Sequence, residues 1–293
     1  GGFERTRQQI VTLCGIALCL FTVVEMNFPR LQPQSALALF VMLGLVVCFL
    51  EFPANKKLKD HVALRAVDIA MATIVIVSCG YVIIQTEPWF EPLWQNGLSL
   101  GNRAGAETHS DFVIGLIGLV LVFEATRRSI GWIVPLLALF FVGHTYYCYA
   151  SIAYDWAEMP DWLLPHAGQE VRGIVSTTFL QTLGVFGPAA GVMFKYVFLF
   201  VVFGSFLEMS GATQFIIDFS ERMFGRSPGG PAKVSVLGSG LMGSLSGSAV
   251  ANAVTTGTFT IPMMRNAGFQ PHVAGGVTAA AAAGGALVPP VMG

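Results

Sequence analysis

A run of small and polar residues between positions 238 and 257 has the clearest capacity for binding chemistry in this sequence. Of its 20 residues, 14 are Gly, Ser, Ala or Thr, so their side chains cover few backbone carbonyl groups. The run also offers the hydroxyl groups of Ser244, Ser246 and Ser248 and the side-chain amide of Asn252. Neutral oxygens of this kind are ligands for a hard monovalent cation. No aspartate or glutamate occurs from 222 to 293, which makes a divalent metal ion a poor candidate.

The residues that flank this run indicate a helical hairpin that enters and leaves a membrane by the same face. Proline and glycine interrupt the chain at 228–231, and a proline follows at 262. Lys233 and Arg265 lie near the two ends, both on the cytoplasmic side by the charge count given below. We therefore predict a re-entrant hairpin over about 232–265, with its tip near 244–248. The alternative interpretation is plain packing of helices through small residues.

A second interruption follows the hairpin. Residues 274–283 form an apolar, alanine-rich run, and Gly284, Gly285, Pro289 and Pro290 come soon after it. Glycines and prolines inside an apolar helix predict a break at membrane depth. Ion sites in transporters are often built from a hairpin beside such a discontinuous helix, with free carbonyl groups as ligands. We predict a discontinuous helix that begins near 271 and is interrupted before 293.

Other patterns that suggest chemistry are weak. Gly238, Gly240 and Gly243 have the spacing of a dinucleotide-binding loop, but no acidic residue follows them anywhere in the chain. None of the five histidines, at 61, 109, 144, 166 and 272, pairs with a carboxylate at helical spacing inside a predicted span. The five cysteines lack zinc or redox spacing and are interpreted as small apolar residues. The sequence therefore predicts no catalytic residue, no cofactor and no bound metal apart from a monovalent cation.

The elements that position these residues must lie in a membrane. Hydrophobic residues make up 54% of the 293 residues and charged residues only 11%, against about 25% in soluble domains. A soluble globule has too few polar residues here to cover its surface, and a net charge of −1 gives no basic face for nucleic acid. We predict an all-α polytopic membrane protein whose spanning helices, about six in number, lie at 9–25, 35–51, 67–84, 111–124, 130–150 and 189–209.

The distribution of lysine and arginine among the loops predicts that the N-terminus lies in the cytoplasm. With that orientation, twelve of the 16 lysines and arginines fall in inner loops, only Arg30, Arg103 and Arg172 fall outside, and Lys195 lies within a span. The two long outer connections, 86–110 and 151–170, are acidic and hold Trp89, Trp94, Trp156 and Trp162. These tryptophans are either an aromatic belt at the lipid interface or a docking surface for an extracytoplasmic partner. Residues 168–182 are expected to form an interfacial amphipathic helix.

At these motifs the sequence resembles the large membrane subunit of TRAP transporters, the tripartite ATP-independent periplasmic carriers. The N-terminal spans and the EATRR junction resemble fused permeases, in which the small and large subunits share one chain and which pair with TAXI-like binding proteins. The match is densest from 188 onward and is carried by FGSFLEMSG at 203–211, GGPAKV at 229–234, GSAVAN at 247–252, TGTFTIP at 256–262 and GGALVPPVMG at 284–293.

The resemblance implies a sodium-coupled, elevator-type importer in the bacterial or archaeal cytoplasmic membrane. A periplasmic binding protein would deliver an organic anion, often a carboxylate, to the membrane part. Family sodium sites are built from hairpin tips and broken helices. Matched residue by residue, the motifs nominate Ser244, Ser246, Ser248 and Asn252 at the tip and Gly284, Gly285 and Pro289 at the break.

The resemblance also implies a division of the chain. Residues 1–110 are expected to be the small-subunit-like region and 111–293 the N-terminal part of the large permease. Because the family's large subunit continues into a second hairpin, the chain is expected to be a fragment. Two other functions remain open: a structural or assembly subunit without a transport site of its own, and an intramembrane enzyme.

Overall fold

The computed structural model describes residues 2–54, 62–157 and 159–288, and every regular element in these ranges is helical. Six helices within them are long and apolar enough to cross a membrane, which confirms the predicted all-α class and the number of spans. Each predicted span overlaps one of these helices, with ends that differ from the predicted ones by at most about one and a half turns. The six are Arg5–Asn27, Pro33–Glu51, Leu64–Ile84, His109–Ser129, Ile133–Ala153 and Pro188–Leu207.

The chain divides into two compact units, Gly1–Phe194 and Lys195–Gly293. This division describes packing, so the predicted boundary at 110 between small-subunit-like and large-subunit-like regions stays a prediction. In the first unit α2 packs on α1, α3 and α4, and α4 packs on α5. The α-helices of this unit are α1 (Gly2–Asn27), α2 (Pro33–Glu51), α3 (Val62–Ile84), α4 (His109–Ser129), α5 (Ile133–Ala153), α6 (Val171–Val175) and α7 (Pro188–Val192).

Helix α6 continues into a π-helical turn, Ser176–Leu180, that packs into the core of the first unit. A Cβ atom added at Gly118 of α4 would overlap the ring of Phe179, so this glycine permits the close contact. Phe179 in turn meets Phe186, with ring centroids 5.2 Å apart. In the segment expected to be an interfacial helix, four apolar residues are therefore buried against protein, because α4 presents small residues to them; these are Ile174, Val175, Phe179 and Leu180.

The connection between α3 and α4 is held by one buried charge pair. Arg103 is 1% exposed, and its Nη2 lies 2.8 Å from Asp111 Oδ1 at the start of α4. Its Nη1 donates to Gln85 Oε1 at 2.9 Å and to the Leu98 carbonyl oxygen at 2.7 Å, while Tyr81 Oη donates to Asp111 Oδ1 at 2.6 Å. A buried charge without such partners would cost several kcal/mol. The pair and its hydrogen bonds thus tie this connection, with its short 3-10 turns, to α3 and α4.

A second charge cluster lies at the other end of α4. The Arg128 side chain is fully buried and contacts Asp68 Oδ1 at 2.6 Å and Glu124 Oε1 at 2.8 Å. Its Nη1 also donates to the Phe52 carbonyl oxygen just after α2, at 3.1 Å. Arg128 therefore links α2, α3 and α4, and its carboxylate and carbonyl acceptors balance the cost of burying a guanidinium group.

The second unit is built around three helices in mutual contact, α10, α11 and α12. Helix α9 packs its buried residues Ile216, Ile217 and Ser220 against α10, and its opposite face is exposed. A π-helical turn, Met193–Val197, precedes this group. The α-helices of the unit are α8 (Phe198–Met209), α9 (Ala212–Phe224), α10 (Gly230–Ser246), α11 (Ala249–Asn266) and α12 (Pro271–Gly285).

Candidate functional site

Helices α10 and α11 form a hairpin joined by only two residues, Gly247 and Ser248. Gly247 ends α10 with φ of +62°, a conformation that glycine adopts without strain, and its amide donates to the Gly243 carbonyl oxygen at 2.9 Å. Ser248 is the N-cap of α11, and its Oγ accepts from the Ala251 amide at 3.3 Å. The glycine-and-serine composition that predicts a turn here therefore has a local cause: one residue ends a helix and the next begins another.

Paired hydroxyl groups line the contact between the two arms. Ser239 Oγ and Thr256 Oγ1 are 3.0 Å apart, and Ser235 Oγ donates to Thr260 Oγ1 at 3.3 Å. All four side chains are buried. Because 235 and 239 lie one turn apart on α10, as do 256 and 260 on α11, the pairs form two rungs of an antiparallel contact. The arms thus pack through polar groups that satisfy one another.

Asn252 lies one turn beyond Thr256, towards the tip of the hairpin, and is 1% exposed. Its Nδ2 donates to the Ser239 carbonyl oxygen at 2.8 Å and approaches the Ala282 carbonyl oxygen of α12 at 3.5 Å. Only the amide nitrogen can donate to carbonyl groups, so these contacts fix the orientation of the amide. Within the described residues, the other end of the amide, Oδ1, has no hydrogen-bond partner.

Helix α12 approaches the hairpin at two glycines. A Cβ atom added at Gly285 would overlap the Ser239 carbonyl oxygen and lie 2.6 Å from Asn252 Nδ2. One added at Gly243 of α10 would overlap the backbone of Gly285. Farther along, a Cβ at Gly257 would lie 3.2 Å from Thr278 Cγ2. Helices α10 and α12 therefore meet backbone to backbone beside the Asn252 side chain of α11, a contact that glycine permits at 243 and 285.

The α-helical hydrogen bonding of α12 stops at this contact. The helix ends at Gly285, and the Leu287 and Val288 amides then donate to the carbonyl oxygens of Gly284 and Gly285, each at 3.1 Å. These bonds span three residues rather than four, as is common where a helix tightens at its end. Because residues from 289 onward lie outside the described part of the chain, the discontinuous helix over about 271–293 stays a prediction.

Among the residues that the structure describes, Asn252 Oδ1 is a buried acceptor without a hydrogen-bond partner. Leaving a buried amide oxygen without a partner costs about 1–3 kcal/mol. A donor or a cation that reached Asn252 Oδ1 would recover this energy. Since residues 222–293 contain no aspartate or glutamate, the oxygens that α10, α11 and α12 offer carry no formal charge. A singly charged ion matches such a set better than a divalent one.

A comparison with known protein families matches residues 117–293 to the tripartite ATP-independent periplasmic transporter, DctM component. The matched region is more than half of the chain and contains the hairpin and α12. The chain belongs to this family.

Curated relatives of the DctM family agree with the match. The chain is 28% identical over 219 residues to the sialic acid TRAP transporter permease protein of Haemophilus influenzae, covering 75% of this chain and 30% of the relative. It is 35% identical over 91 residues to the 2,3-diketo-L-gulonate TRAP transporter large permease protein of Escherichia coli, covering 31% of this chain and 21% of that protein. The chain therefore spans less than a third of either relative. No solved structure matches it.

Among the site residues predicted for this DctM-family chain, Asn252 and Gly285 come together, and Gly284 faces away from their contact. Ser248 serves as the helix cap, and Ser244 Oγ donates to the Leu241 carbonyl oxygen of its own helix at 2.7 Å. The side chain of Ser246 and all of Pro289 lie outside what the structure describes. A binding role for any of these residues stays a prediction.

Ser239 and Thr256 are neighbours of the site that sequence reasoning missed. Both are fully buried, and Ser239 supplies the carbonyl oxygen that holds Asn252. Polar residues repeat every four positions at 235 and 239 and at 252, 256 and 260, which places each set on one helix face. This spacing is a signal that could have identified them.

The four predicted docking tryptophans differ in their surroundings. Trp162 is 77% exposed and Trp89 is 71% exposed. Trp156 packs against Tyr147, with ring centroids 5.7 Å apart. Trp94 is half-buried and donates from Nε1 to the Ile84 carbonyl oxygen at 3.0 Å, so it fastens its connection to the end of α3.

Replacing Gly285 with alanine is expected to destabilise the second unit, whereas Gly284→Ala is expected to be neutral or slightly stabilising. Alanine in a helix is more favourable than glycine by about 1 kcal/mol of folding free energy, but an extra methyl group forced into a well-packed contact typically costs about 1–3 kcal/mol. An added methyl group overlaps the hairpin at 285 and meets nothing within 4 Å at 284. Thermal unfolding of the two purified variants measures the difference. Equal shifts in Tm would contradict the described contact.

Cysteines placed at 233 and 265 are expected to react with a membrane-impermeant maleimide from the same, cytoplasmic side. Lys233 and Arg265 are exposed, and the antiparallel hairpin places both far from the tip. Labelling in whole cells and in inside-out vesicles, in a background without the native cysteines, gives the sidedness. Opposite sidedness would exclude a re-entrant hairpin and make α10 and α11 parts of through-going spans.

Proposed function

We propose that the chain is part of the membrane permease of a secondary, sodium-coupled importer that works by an elevator-type mechanism. The importer takes up organic anions, chiefly carboxylates, that a periplasmic binding protein supplies. It lies in the cytoplasmic (inner) membrane of a bacterium or archaeon, with its N-terminus in the cytoplasm. Membership of the DctM family supports the transport role, and the elevator mechanism follows from the resemblance to that family.

Sodium coupling is supported by one observation above the others: Asn252 Oδ1 is a buried neutral oxygen and has no partner within the described residues. Sodium is a hard cation that binds carbonyl, amide and hydroxyl oxygens. The C-terminal end of α10 at Ser246 and that of α12 at Gly285 add the partial negative charge of helix ends. These features favour a small cation at the tip of the hairpin.

The substrate class is supported by the relatives. Their names specify sialic acid, 2,3-diketo-L-gulonate and, for a 34% identical protein of Rhodobacter capsulatus, C4-dicarboxylate. Each of these compounds carries a carboxyl group. In this chain the N-terminus of α11, capped by Ser248, offers backbone amides and a partial positive charge at the tip. A substrate carboxylate near this end would complement a sodium ion near the adjacent C-terminus of α10.

A periplasmic partner of the TAXI-like type is supported by the fused-permease resemblance and by exposed aromatic side chains. Trp89 and Trp162 are exposed on two connections that the distribution of lysine and arginine places on the outer side. Exposed tryptophan is a common energetic centre of protein interfaces. Trp94 is a weaker candidate because its Nε1 is already paired with a backbone carbonyl group.

The alternative is a structural or assembly subunit without its own ion site. That function would need the close contact of α10, α11 and α12 but no ligand at Asn252 Oδ1. An enzymatic function has no such support, because the matched family consists of transporters.

In the transporter that contains this chain, Asn252→Ala is expected to raise the sodium concentration for half-maximal uptake about tenfold to hundredfold. Removal of one good ligand costs about 1–3 kcal/mol. Sodium-dependent uptake in proteoliposomes is the measurement. Ser246→Ala is expected to shift the dependence in the same direction, and Thr258→Ala is the matched control because this threonine is exposed on the same helix.

Unchanged sodium dependence in both Asn252→Ala and Ser246→Ala would count against sodium binding at the tip. If both variants were folded and transported at the parental rate, the alternative of a subunit without its own site would be favoured. A shift of equal size in Thr258→Ala would show that any change on α11 disturbs uptake.

Trp162→Ala is expected to slow uptake when the binding protein is limiting and to leave the thermal stability of the permease unchanged, because the side chain is largely exposed. Trp94→Ala is expected to lower the stability instead, through loss of its hydrogen bond and packing. Uptake at limiting and saturating binding protein, together with Tm, separates the two effects. Parental uptake in variants of all four tryptophans would favour the aromatic-belt interpretation.

A further inference from the structure

The connection between α5 and α6 folds back over the C-terminal half of α5. Tyr147 Oη donates to the Ala157 carbonyl oxygen at 3.0 Å, and His144 Nε2 lies 2.8 Å from the Leu163 carbonyl oxygen. Farther along, Gly168 adopts φ of +66°, and a Cβ atom there would overlap the backbone of Thr145. The connection is therefore fastened to α5 at several points.

This packing brings three metal-ligating side chains together. His144 and Cys148 lie one turn apart on α5, and His166 approaches them from the connection. Their ligand atoms all lie within 4.8 Å of one another, and Cys148 Sγ is 3.9 Å from His144 Nε2. A tetrahedral metal with bonds of about 2.0–2.3 Å holds such atoms about 3.5 Å apart, so small side-chain movements close the set.

A fourth donor belongs to the same cluster. Met159 Sδ lies 3.9 Å from Cys148 Sγ. Cys148 is 1% exposed, so its sulfur is shielded from solvent, while His166 is exposed and offers a path of entry. A thiol, a thioether and two imidazoles form a soft donor set. Zinc sites use cysteine, histidine and carboxylate ligands, whereas a thioether ligand is typical of copper.

We propose that His144, Cys148, Met159 and His166 form a binding site for copper(I). The ion binds the Cys148 thiolate, and the thiol proton is released to solvent, so no electron is transferred. The two imidazoles bind as neutral ligands. The present hydrogen bonds of His144 Nε2 to the Leu163 carbonyl oxygen and of the Gly168 amide to His166 Nδ1 hold the rings in place. Where the metal binds the same ring nitrogen, the metal–ligand bond replaces that hydrogen bond. The exchange is favourable because a single neutral hydrogen bond is weak compared with a metal–ligand bond.

The cluster is independent of the proposed ion site. Its four residues lie in the first unit, between 144 and 166, whereas Asn252 and Gly285 lie in the second. Copper binding is therefore measured without transport, sodium or a binding protein. Failure of this proposal would leave the proposed function untouched, and the reverse also holds.

The test is an anaerobic titration of the detergent-purified chain with copper(I), in competition with bicinchoninate. We expect one copper ion per chain. Cys148→Ser and His166→Ala should each weaken the affinity at least about a hundredfold, since even loss of an outer-shell partner costs roughly ten- to a hundredfold. Cys14→Ser and His109→Ala are matched controls away from the cluster and should bind copper as the parent does. His166 is exposed, so its variant retains the fold if Cys148→Ser does not.

Met159→Leu separates copper from zinc, because leucine keeps the volume but removes the thioether. It should weaken copper(I) binding about tenfold and leave zinc(II) binding unchanged. Equal copper affinity in the parent, Cys148→Ser and His166→Ala would overturn the site. Parental copper affinity in Met159→Leu, or tighter binding of zinc(II) than of copper(I), would overturn the assignment to copper.

Discussion

The hydrogen bond from Asn252 Nδ2 to the Ser239 carbonyl oxygen is the interaction on which the candidate site depends. It connects the two arms of the hairpin near the tip, and Gly285 of α12 leaves room for it, because a Cβ atom there would overlap the Ser239 carbonyl oxygen and lie 2.6 Å from Asn252 Nδ2. The same bond turns Oδ1 away from the carbonyl groups and leaves it unpaired within the described residues. One contact therefore both holds the hairpin together and creates the acceptor that a cation can use.

The fold was largely predictable because apolar length is a strong signal in a membrane. Predicted spans such as 35–51 fall on the described helices, and the hairpin turn lies where glycine and serine cluster. Side-chain partners were not predictable. Arg103 counts in sequence as an outer-loop charge, yet it is buried against Asp111. The composition of a loop does not show that one of its charged side chains contacts the first turn of the next helix, because this contact depends on the path of the loop.

The candidate site was predictable in part for the same reason. Small residues and Asn252 mark the segment, but the sequence does not show which helix face meets which. From the sequence alone, Ser244 and Ser248 are candidate ligands equivalent to Asn252. In the structure, Ser244 donates a hydrogen bond to its own helix, and Ser248 caps the N-terminus of α11. The proposed copper site was not predicted from the sequence, because His166 and Met159 come close to Cys148 only through the fold of the connection after α5. A pair at i and i+4, His144 and Cys148, was its only local sign.

In the proposed function, Asn252 Oδ1 is a ligand of the coupling ion. A high-resolution structure of the transporter containing this chain, determined once in sodium chloride and once in choline chloride, tests it most directly. We expect a density peak in contact with Asn252 Oδ1 and with backbone oxygens at the ends of α10 and α12, present in sodium and absent in choline. An Asn252 Oδ1 that accepts a hydrogen bond from a protein donor in both salts, with no sodium-dependent density beside it, would contradict a role for this oxygen as an ion ligand.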